Sequence, residues 1–341
     1  MRRDREVTSA IEVLLRSLGH DPACLDTALV SEMVATSLKF LRDGAGTGQI
    51  KLVSSALKEM RYAYRVFNRY EGTRKISIFG SARTPESHPD YLAAKQFGER
   101  IAAEGWMAIT GAGDGIMKAG HEGPSRESSF GLAIRLPIEQ AANAVIDGDP
   151  KLINFRYFFT RKLMFLSHSH AVAVFPGGFG TQDELFEALT LLQTGKSSMI
   201  PVVLVEGAGG TYWDAWEEFA RDDLRERGWI GTDDDALYRR CATPEAAVAE
   251  VTGFYRRYRS SRFVKDRLVL RLDAPLSAAQ LSDLSAEFRD VLRHGGFEQS
   301  GPLPGEDDSM DLPRLHFIFS KRNYARLRRL IDRINALPVA S

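Results

Sequence analysis

Cysteine is nearly absent: the 341 residues hold two, Cys24 and Cys241, far apart in the chain. Two such residues supply neither a disulfide framework nor the paired spacing of a zinc site, so a reducing compartment is expected. Charge imbalance is absent as well. Lysine plus arginine number 45, and aspartate plus glutamate 45, whereas a general nucleic-acid binder carries a basic excess or patch. Long apolar runs are missing. No stretch approaches the roughly 18–20 residues of a membrane span. The charged opening Met1-Arg2-Arg3-Asp4-Arg5-Glu6 is not followed by the apolar core of a secretion signal. These absences lead to the expectation of a cytoplasmic globular protein with no membrane and no nucleic-acid partner. Repeats and low-complexity tracts are also lacking, and the length exceeds one ordinary core, so two or three domains are expected.

What is present falls into three regions: 1–72, 73–258 and 259–341. The first reads as helical. Ile11, Leu14, Leu15 and Leu18, and later Leu57, Met60, Tyr64 and Phe67, keep helical spacing, with Gly44-Ala45-Gly46-Thr47-Gly48 as the clearest break. The second alternates short apolar runs with helical stretches. Strands are expected at Lys75–Phe79, Trp106–Thr110, Phe130–Leu136, Ala171–Phe175 and Pro201–Val205. Such strands, apolar almost throughout, indicate a parallel sheet covered on both faces, a Rossmann-like doubly wound α/β fold. The third region reads as a small βαβα unit: strand Arg267–Leu272, helix Ser277–Leu292, a polar loop Gly295–Ser309, strand Leu315–Phe319 and helix Asn323–Leu337. Its basic run, Arg326, Arg328, Arg329 and Arg333, reads as a solvated helix face.

Three strand ends of the middle region carry glycine: Phe79-Gly80-Ser81-Ala82-Arg83, Thr110-Gly111-Ala112-Gly113-Asp114-Gly115 and Pro176-Gly177-Gly178-Phe179-Gly180-Thr181. Ligands of open parallel sheets bind outside the carboxyl ends of the strands. Glycines allow close backbone approach there, and the helix that follows offers free N–H groups to an anion. A phosphate is the expected occupant. The dinucleotide fingerprint fails because its last glycine position holds Ile116. Gly195-Lys196-Ser197 is no phosphate loop, because it follows a helix and Thr190 stands where the first glycine belongs. Glu184 follows Thr181 by three residues, so on a helix beginning near Thr181 its carboxylate either faces the same ligand or serves only the helix dipole. Arg161 and Lys162, near the start of a helix that Thr160 is placed to cap, await either an anionic ligand or surface acids. Phe159, Leu163 and Phe165 read as core rather than as walls of a ligand pocket. His168 and His170, read on the same helix, are two apart and do not face each other as a metal pair would.

Together these segments resemble the LONELY GUY (LOG) family, long misnamed "lysine decarboxylase". Pro176 to Glu184 matches its PGGxGTxxE signature at every fixed position. Arg161-Lys162-Leu163-Met164 resembles its RKxxM element. Gly111 to Met117 is similar to its GGGxxG[LI]M segment, with Ala112 for one glycine, and Gly80-Ser81-Ala82-Arg83 is similar to its first loop. The resemblance covers about residues 74–245. It implies a phosphoribohydrolase that cleaves a nucleoside 5′-monophosphate, AMP or a cytokinin riboside monophosphate, into free base and ribose 5-phosphate. It implies no metal or other cofactor, and a homodimer or larger homo-oligomer. It gives Glu184 and Arg161 catalytic roles and lays the phosphate on Gly177, Gly178, Gly180 and Thr181, with Lys162 adding charge. Gly80, Ser81, Gly111, Gly113, Gly115 and Met117 then line the base and ribose side. The competing reading is a nucleotide sensor or a carrier of a phosphorylated cofactor such as molybdopterin. Neither would need Arg161 together with Glu184.

Overall fold

A computed structural model describes residues 2–135 and 141–339 of the protein. Contacts divide the chain into two units, Met1–Arg61 and Tyr62–Ser341. The first is built from α1 (Arg2–Ser17), α2 (Leu25–Arg42) and α3 (Thr47–Phe67), the last of which runs on past the boundary. The glycine break expected at Gly44 is there, with Gly44 at φ +71°, and a second lies at Gly19, φ +85°. Positive φ at these positions suits glycine, which has no Cβ to oppose it.

The second unit holds two sheets. The larger is threaded β1 (Lys75–Phe79), α4 (Pro89–Ala103), β2 (Met107–Thr110), α5 (Ile116–Glu122), β3 (Ser129–Ile134), β4 (Leu152–Phe155), α6 (Phe158–Ser167), β5 (Ala171–Val174), α7 (Phe179–Thr194), β6 (Val202–Val205), α8 (Tyr212–Glu218), β7 (Arg239–Cys241) and α9 (Pro244–Phe254). Its order is β4-β3-β2-β1-β5-β6-β7, and every pairing is parallel. This is the Rossmann-like doubly wound sheet that the apolar runs predicted. β1, β5 and β6 are buried along their whole length, as strands covered on both faces must be. The chain winds from β1 outward to β4, then returns to β5 on the other side of β1. The β1/β5 seam is therefore the switch point, where helices leave in opposite directions and open a crevice.

Five strands were expected in this sheet and seven are found among the described residues; β4 and β7 were missed. Both are edge strands. β4 alternates in burial, and β7 opens on Arg239 and Arg240, so neither carries an apolar run. β3 ends at Ile134, and Leu136, placed in this strand from sequence, lies outside the described residues.

The smaller sheet comprises β8 (Tyr258–Val264), β9 (Arg267–Leu272), α10 (Ala278–Glu287), β10 (Leu292–Ser300), β11 (Arg314–Phe319) and α11 (Tyr324–Ala336). Its order, β10-β11-β9-β8, is antiparallel throughout. The expected βαβα elements are all present, with two strands added. β10 takes in residues 295–300, which had read as loop; its exposed polar face and two glycines hide its strand character. The basic run of α11 is not a solvated face. Arg328 is 1% exposed and pairs with Glu250 and Asp332. Arg326, Arg329 and Arg333 pair with Asp290, with Asp233 and Asp235, and with Glu287.

Candidate active site

A cleft of about 880 Å³ opens at the carboxyl ends of β1, β2 and β5, lined by all three glycine loops. Its walls are tied together by backbone hydrogen bonds. Ser81 N–H donates to Pro176 O at 3.0 Å, and Ile116 N–H donates to Ser81 O at 3.0 Å. The glycines do different jobs. At Gly115, φ +59°, a side chain would strike the backbone of Ser81 and Ala82, so this residue packs under the first loop and does not line the cleft. Gly177 meets the Thr181 side chain and stands 2.9 Å from Ser81 N at its would-be Cβ. A Cβ at Gly178 or Gly180, in contrast, would find no atom within 4 Å. The packing of the fold does not require glycine there, and both positions line the cleft.

Gly178 is the N-cap of α7, so the first-turn N–H groups after it have no partner inside the helix and are available to an anion. The loop before it is held from behind. Tyr212 donates its hydroxyl to Gly177 O at 2.6 Å, Gln182 Nε2 donates to that hydroxyl at 2.6 Å, and Trp216 Nε1 donates to Gln182 Oε1 at 3.0 Å. In a trans peptide the C=O and the following N–H point opposite ways. Turning Gly177 O toward Tyr212 therefore turns Gly178 N–H away from it. Tyr212 and Trp216 lie on α8, more than thirty residues along the chain from the loop, and nothing in the local sequence marked them.

The helix α7 begins at Phe179, two residues earlier than expected, which puts Glu184 in its second turn. Glu184 is 6% exposed, lines the cleft, and has no hydrogen-bond partner at Oε2. Burial pushes its carboxyl up to about 7, against the opposing pull of Lys162 and Arg161. Arg161, on α6, donates from Nε to Leu132 O at 2.7 Å and from Nη2 to Gly111 O at 3.4 Å, and lies over the Phe165 ring at 5.2 Å. Burial lowers it to about 10, and Glu184 partly offsets that fall. The two side chains thus face one cleft and feel each other's charge. Lys162 is engaged elsewhere: its ammonium is 2.8 Å from Asp183 Oδ2 and 2.7 Å from Glu187 Oε2.

Other expectations change here. Thr160 does not cap α6. Tyr157 stands at the N-cap position, and the Thr160 hydroxyl donates to Tyr157 O at 2.9 Å. α6 ends at Ser167, so His168 and His170 are not on one helix. His168 stacks on Phe67 at 4.0 Å, and His170 N–H donates to Lys75 O at 2.7 Å. Of the three residues read as core, Phe165 is buried at the cleft, while Phe159 and Leu163 are 52% and 46% exposed. Gly80, Ser81, Gly111, Gly113 and Met117 all line the cleft, as do Ala82, Arg83, Phe158 and Phe179, which the sequence had not singled out for it.

Residues 111–251 match the family model described as "Possible lysine decarboxylase". That stretch, 141 of the 341 residues, holds motifs that resemble the LONELY GUY family. The matched stretch takes in the second glycine loop, Arg161, the loop from Pro176 and Glu184, and leaves the first glycine loop outside. Among solved structures, the chain is similar to a molybdenum cofactor binding protein from the phototrophic bacterium Rippkaea orientalis. That match has 20% identity and a TM-score of 0.39, and covers 53% of this chain and 96% of that one. It is also similar to the molybdenum cofactor carrier protein of Chlamydomonas reinhardtii, at 22% identity and a TM-score of 0.38, with coverage of 53% and 96%. No curated protein matches the chain. Among the described residues, no helix is long and apolar enough to cross a membrane, and no group of three or more His, Cys, Asp or Glu is placed to hold a metal ion.

Proposed function

We propose that the cleft hydrolyses the N-glycosidic bond of a nucleoside 5′-monophosphate, AMP or a cytokinin riboside monophosphate, to free base and ribose 5-phosphate. The observation that carries this reading is Glu184: a buried cleft carboxylate with an unpartnered oxygen, next to Arg161 and two turns or less from an anion-binding helix start. A carrier of phosphorylated ligands needs the helix start but not a desolvated carboxylate, which costs stability to keep.

The residues divide the reaction as follows. The 5′-phosphate rests on the N–H groups of Gly178, Gly180 and Thr181 and on the Thr181 hydroxyl, anchoring the substrate away from the bond that breaks. The C1′–N bond lengthens with its electron pair passing to the base, and positive charge builds on the ribose, as in other glycosidic cleavages. Ionised Glu184 stabilises that charge and accepts a proton from the water that bonds to C1′. The proton then passes to the base nitrogen, which balances the reaction. A carboxyl near 7 is suited to both accepting and releasing a proton at neutral pH. Arg161, docked on Leu132 O and Gly111 O, keeps its guanidinium in the same cleft as the carboxylate, within reach of its charge and facing the sugar.

The test is a panel of nucleoside monophosphates assayed for release of base and ribose 5-phosphate, with Glu184→Ala as control. Turnover on at least one substrate is expected, reduced about 10²–10⁴-fold by the substitution. Tight binding of a phosphorylated ligand with no turnover on any substrate would favour the sensor or carrier reading instead.

We also propose that the domain works as a homo-oligomer. Phe158, Phe159 and Leu163 on α6, and Phe179 and Phe186 on α7, are 55%, 52%, 46%, 97% and 37% exposed, next to or lining the cleft. A second copy of the chain covering this face would bury them and close the cleft mouth. Sedimentation as a monomer at assay concentration would reject this.

A further inference from the structure

Behind the second glycine loop lies a buried polar network. Thr110, at the end of β2, and His121, on α5, are both 0% exposed, and Asn143 is 5% exposed. Ala112 N–H donates to Thr110 Oγ1 at 3.1 Å. Asn143 N–H donates to Ala112 O at 2.8 Å, and Asn143 Nδ2 donates to Gly113 O at 2.9 Å. His121 joins the two anchors: Nε2 is 2.9 Å from Thr110 Oγ1 and 3.0 Å from Phe130 O, and Nδ1 is 3.1 Å from Asn143 Nδ2.

Donor and acceptor logic favours one placement of the protons. Phe130 O can only accept, so Nε2 carries the hydrogen. Asn143 Nδ2 has two hydrogens; with one on Gly113 O, the other points to the bare Nδ1 of His121 at 3.1 Å, the shorter of the two contacts of Nδ1, the other being Asn143 Oδ1 at 3.3 Å. The ring is therefore neutral, in agreement with burial holding its basicity down.

The loop needs this support. Ala112 stands at φ +63°, in the left-handed region that a residue with a Cβ resists by roughly 1–2 kcal/mol. Such strain persists only where the surroundings over-determine it. Here both sides of Ala112 are pinned, its N–H by Thr110 and its C=O by Asn143. The next carbonyl, Gly113 O, is pinned as well. The preceding carbonyl, Gly111 O, is the one that receives Arg161 Nη2, and a Cβ on Gly111 would collide with that guanidinium. The network thus sets the floor on which Arg161 rests, although none of its three members lines the cleft.

We propose that Thr110, His121 and Asn143 are positioning residues that hold the Gly111–Gly113 backbone, and through it Arg161, in working geometry. The part concerning Arg161 rests on the hydrolase reading; the part concerning the loop does not. The decisive pair is Thr110→Val, which keeps the shape and loses the hydroxyl, and Thr110→Ser, which keeps the hydroxyl. Asn143→Ala is the second lesion. Amide hydrogen exchange across residues 107–117 reads the loop, and steady-state kinetics on the best nucleoside monophosphate read Arg161.

In Thr110→Val and Asn143→Ala, exchange at 111–113 should quicken at least about tenfold while the remaining strands stay protected. kcat should fall about 10- to 100-fold, with KM changed by less than about threefold, because the phosphate cradle on α7 is untouched. Thr110→Ser should restore both readouts. Unchanged exchange in the two lesions overturns the proposal, as does a Thr110→Ser protein as impaired as Thr110→Val. Faster exchange with normal kcat keeps the loop assignment and overturns the link to Arg161. If the wild-type protein turns over nothing, the hydrolase reading fails, and the exchange data still decide the loop assignment.

Discussion

At the residue scale, Glu184 sets function against stability. Its folded carboxyl is pushed up to about 7 from an ordinary 4.5. Below pH 4.5 both folded and unfolded chains hold the proton; as pH rises through 7 the folded protein must bury a charge, and stability is lost over that window. Glu184→Gln, neutral throughout, should therefore lose turnover and gain roughly 1–3 kcal/mol of stability at pH 8, with the gain vanishing at pH 4. Urea unfolding of both proteins at the two pH values checks this, and a variant no more stable at pH 8 would mean that the carboxylate is better solvated than its burial indicates. Glu184 and Arg161 were legible in the sequence because a nine-residue signature and a short helix segment hold them in local spacing. Tyr212, Gln182, Trp216 and the Thr110–His121–Asn143 network were not, because each acts across a fold-made contact that no local pattern records.

At the element scale, the apolar runs specified the central strands because those strands are buried on both faces, and the edges escaped notice for the opposite reason. Helix starts and stops were less exact: α7 begins two residues early because Gly178, not a hydroxyl residue, is its cap. Its other end is sharper. Gly195 caps the C-terminus in the left-handed conformation at φ +65°, and any Cβ there would run into the ring of Tyr324 at the start of α11. Gly195→Ala should therefore destabilise the protein by about 1–3 kcal/mol, from backbone strain and overpacking together. A shift in the urea midpoint reads the effect. A neutral outcome would show that Tyr324 moves aside without cost.

At the scale of the whole molecule, equal numbers of acids and bases proved informative about more than nucleic acid. The arginines of α11 are matched one by one with acids, several of them on the larger sheet's side: Glu250, Asp233 and Asp235. The charges that read as a solvated face are the fastening between the two sheets of the second unit. Arg328 is the one to test, since it is buried and carries two acids. Arg328→Ala should cost about 2–4 kcal/mol by leaving Glu250 and Asp332 with only the more distant Arg239, at 4.0 and 3.9 Å, while Arg326→Ala, which loses a pair with the half-exposed Asp290, should cost under about 1 kcal/mol. Thermal unfolding of the two variants separates them, and equal losses would show that the ranking by burial is wrong. The ββαββα order of the smaller sheet was only half legible, because β8 and β10 are largely polar strands with a single fully buried residue each.

Gly178 and Gly180 are open to empty space in a protein whose other site glycines are hemmed in. A residue kept small where the chain itself imposes no limit is a mould of whatever the chain was shaped to receive. Gly180 sits inside a helix, where alanine is ordinarily the better residue by roughly 0.5–1 kcal/mol. Gly180→Ala should then yield a protein that melts slightly higher and binds ribose 5-phosphate at least about tenfold more weakly by calorimetry. One methyl group would thus act as a gauge pressed against the bound molecule, and walking it from position 178 to position 180 would trace the outline of the ligand.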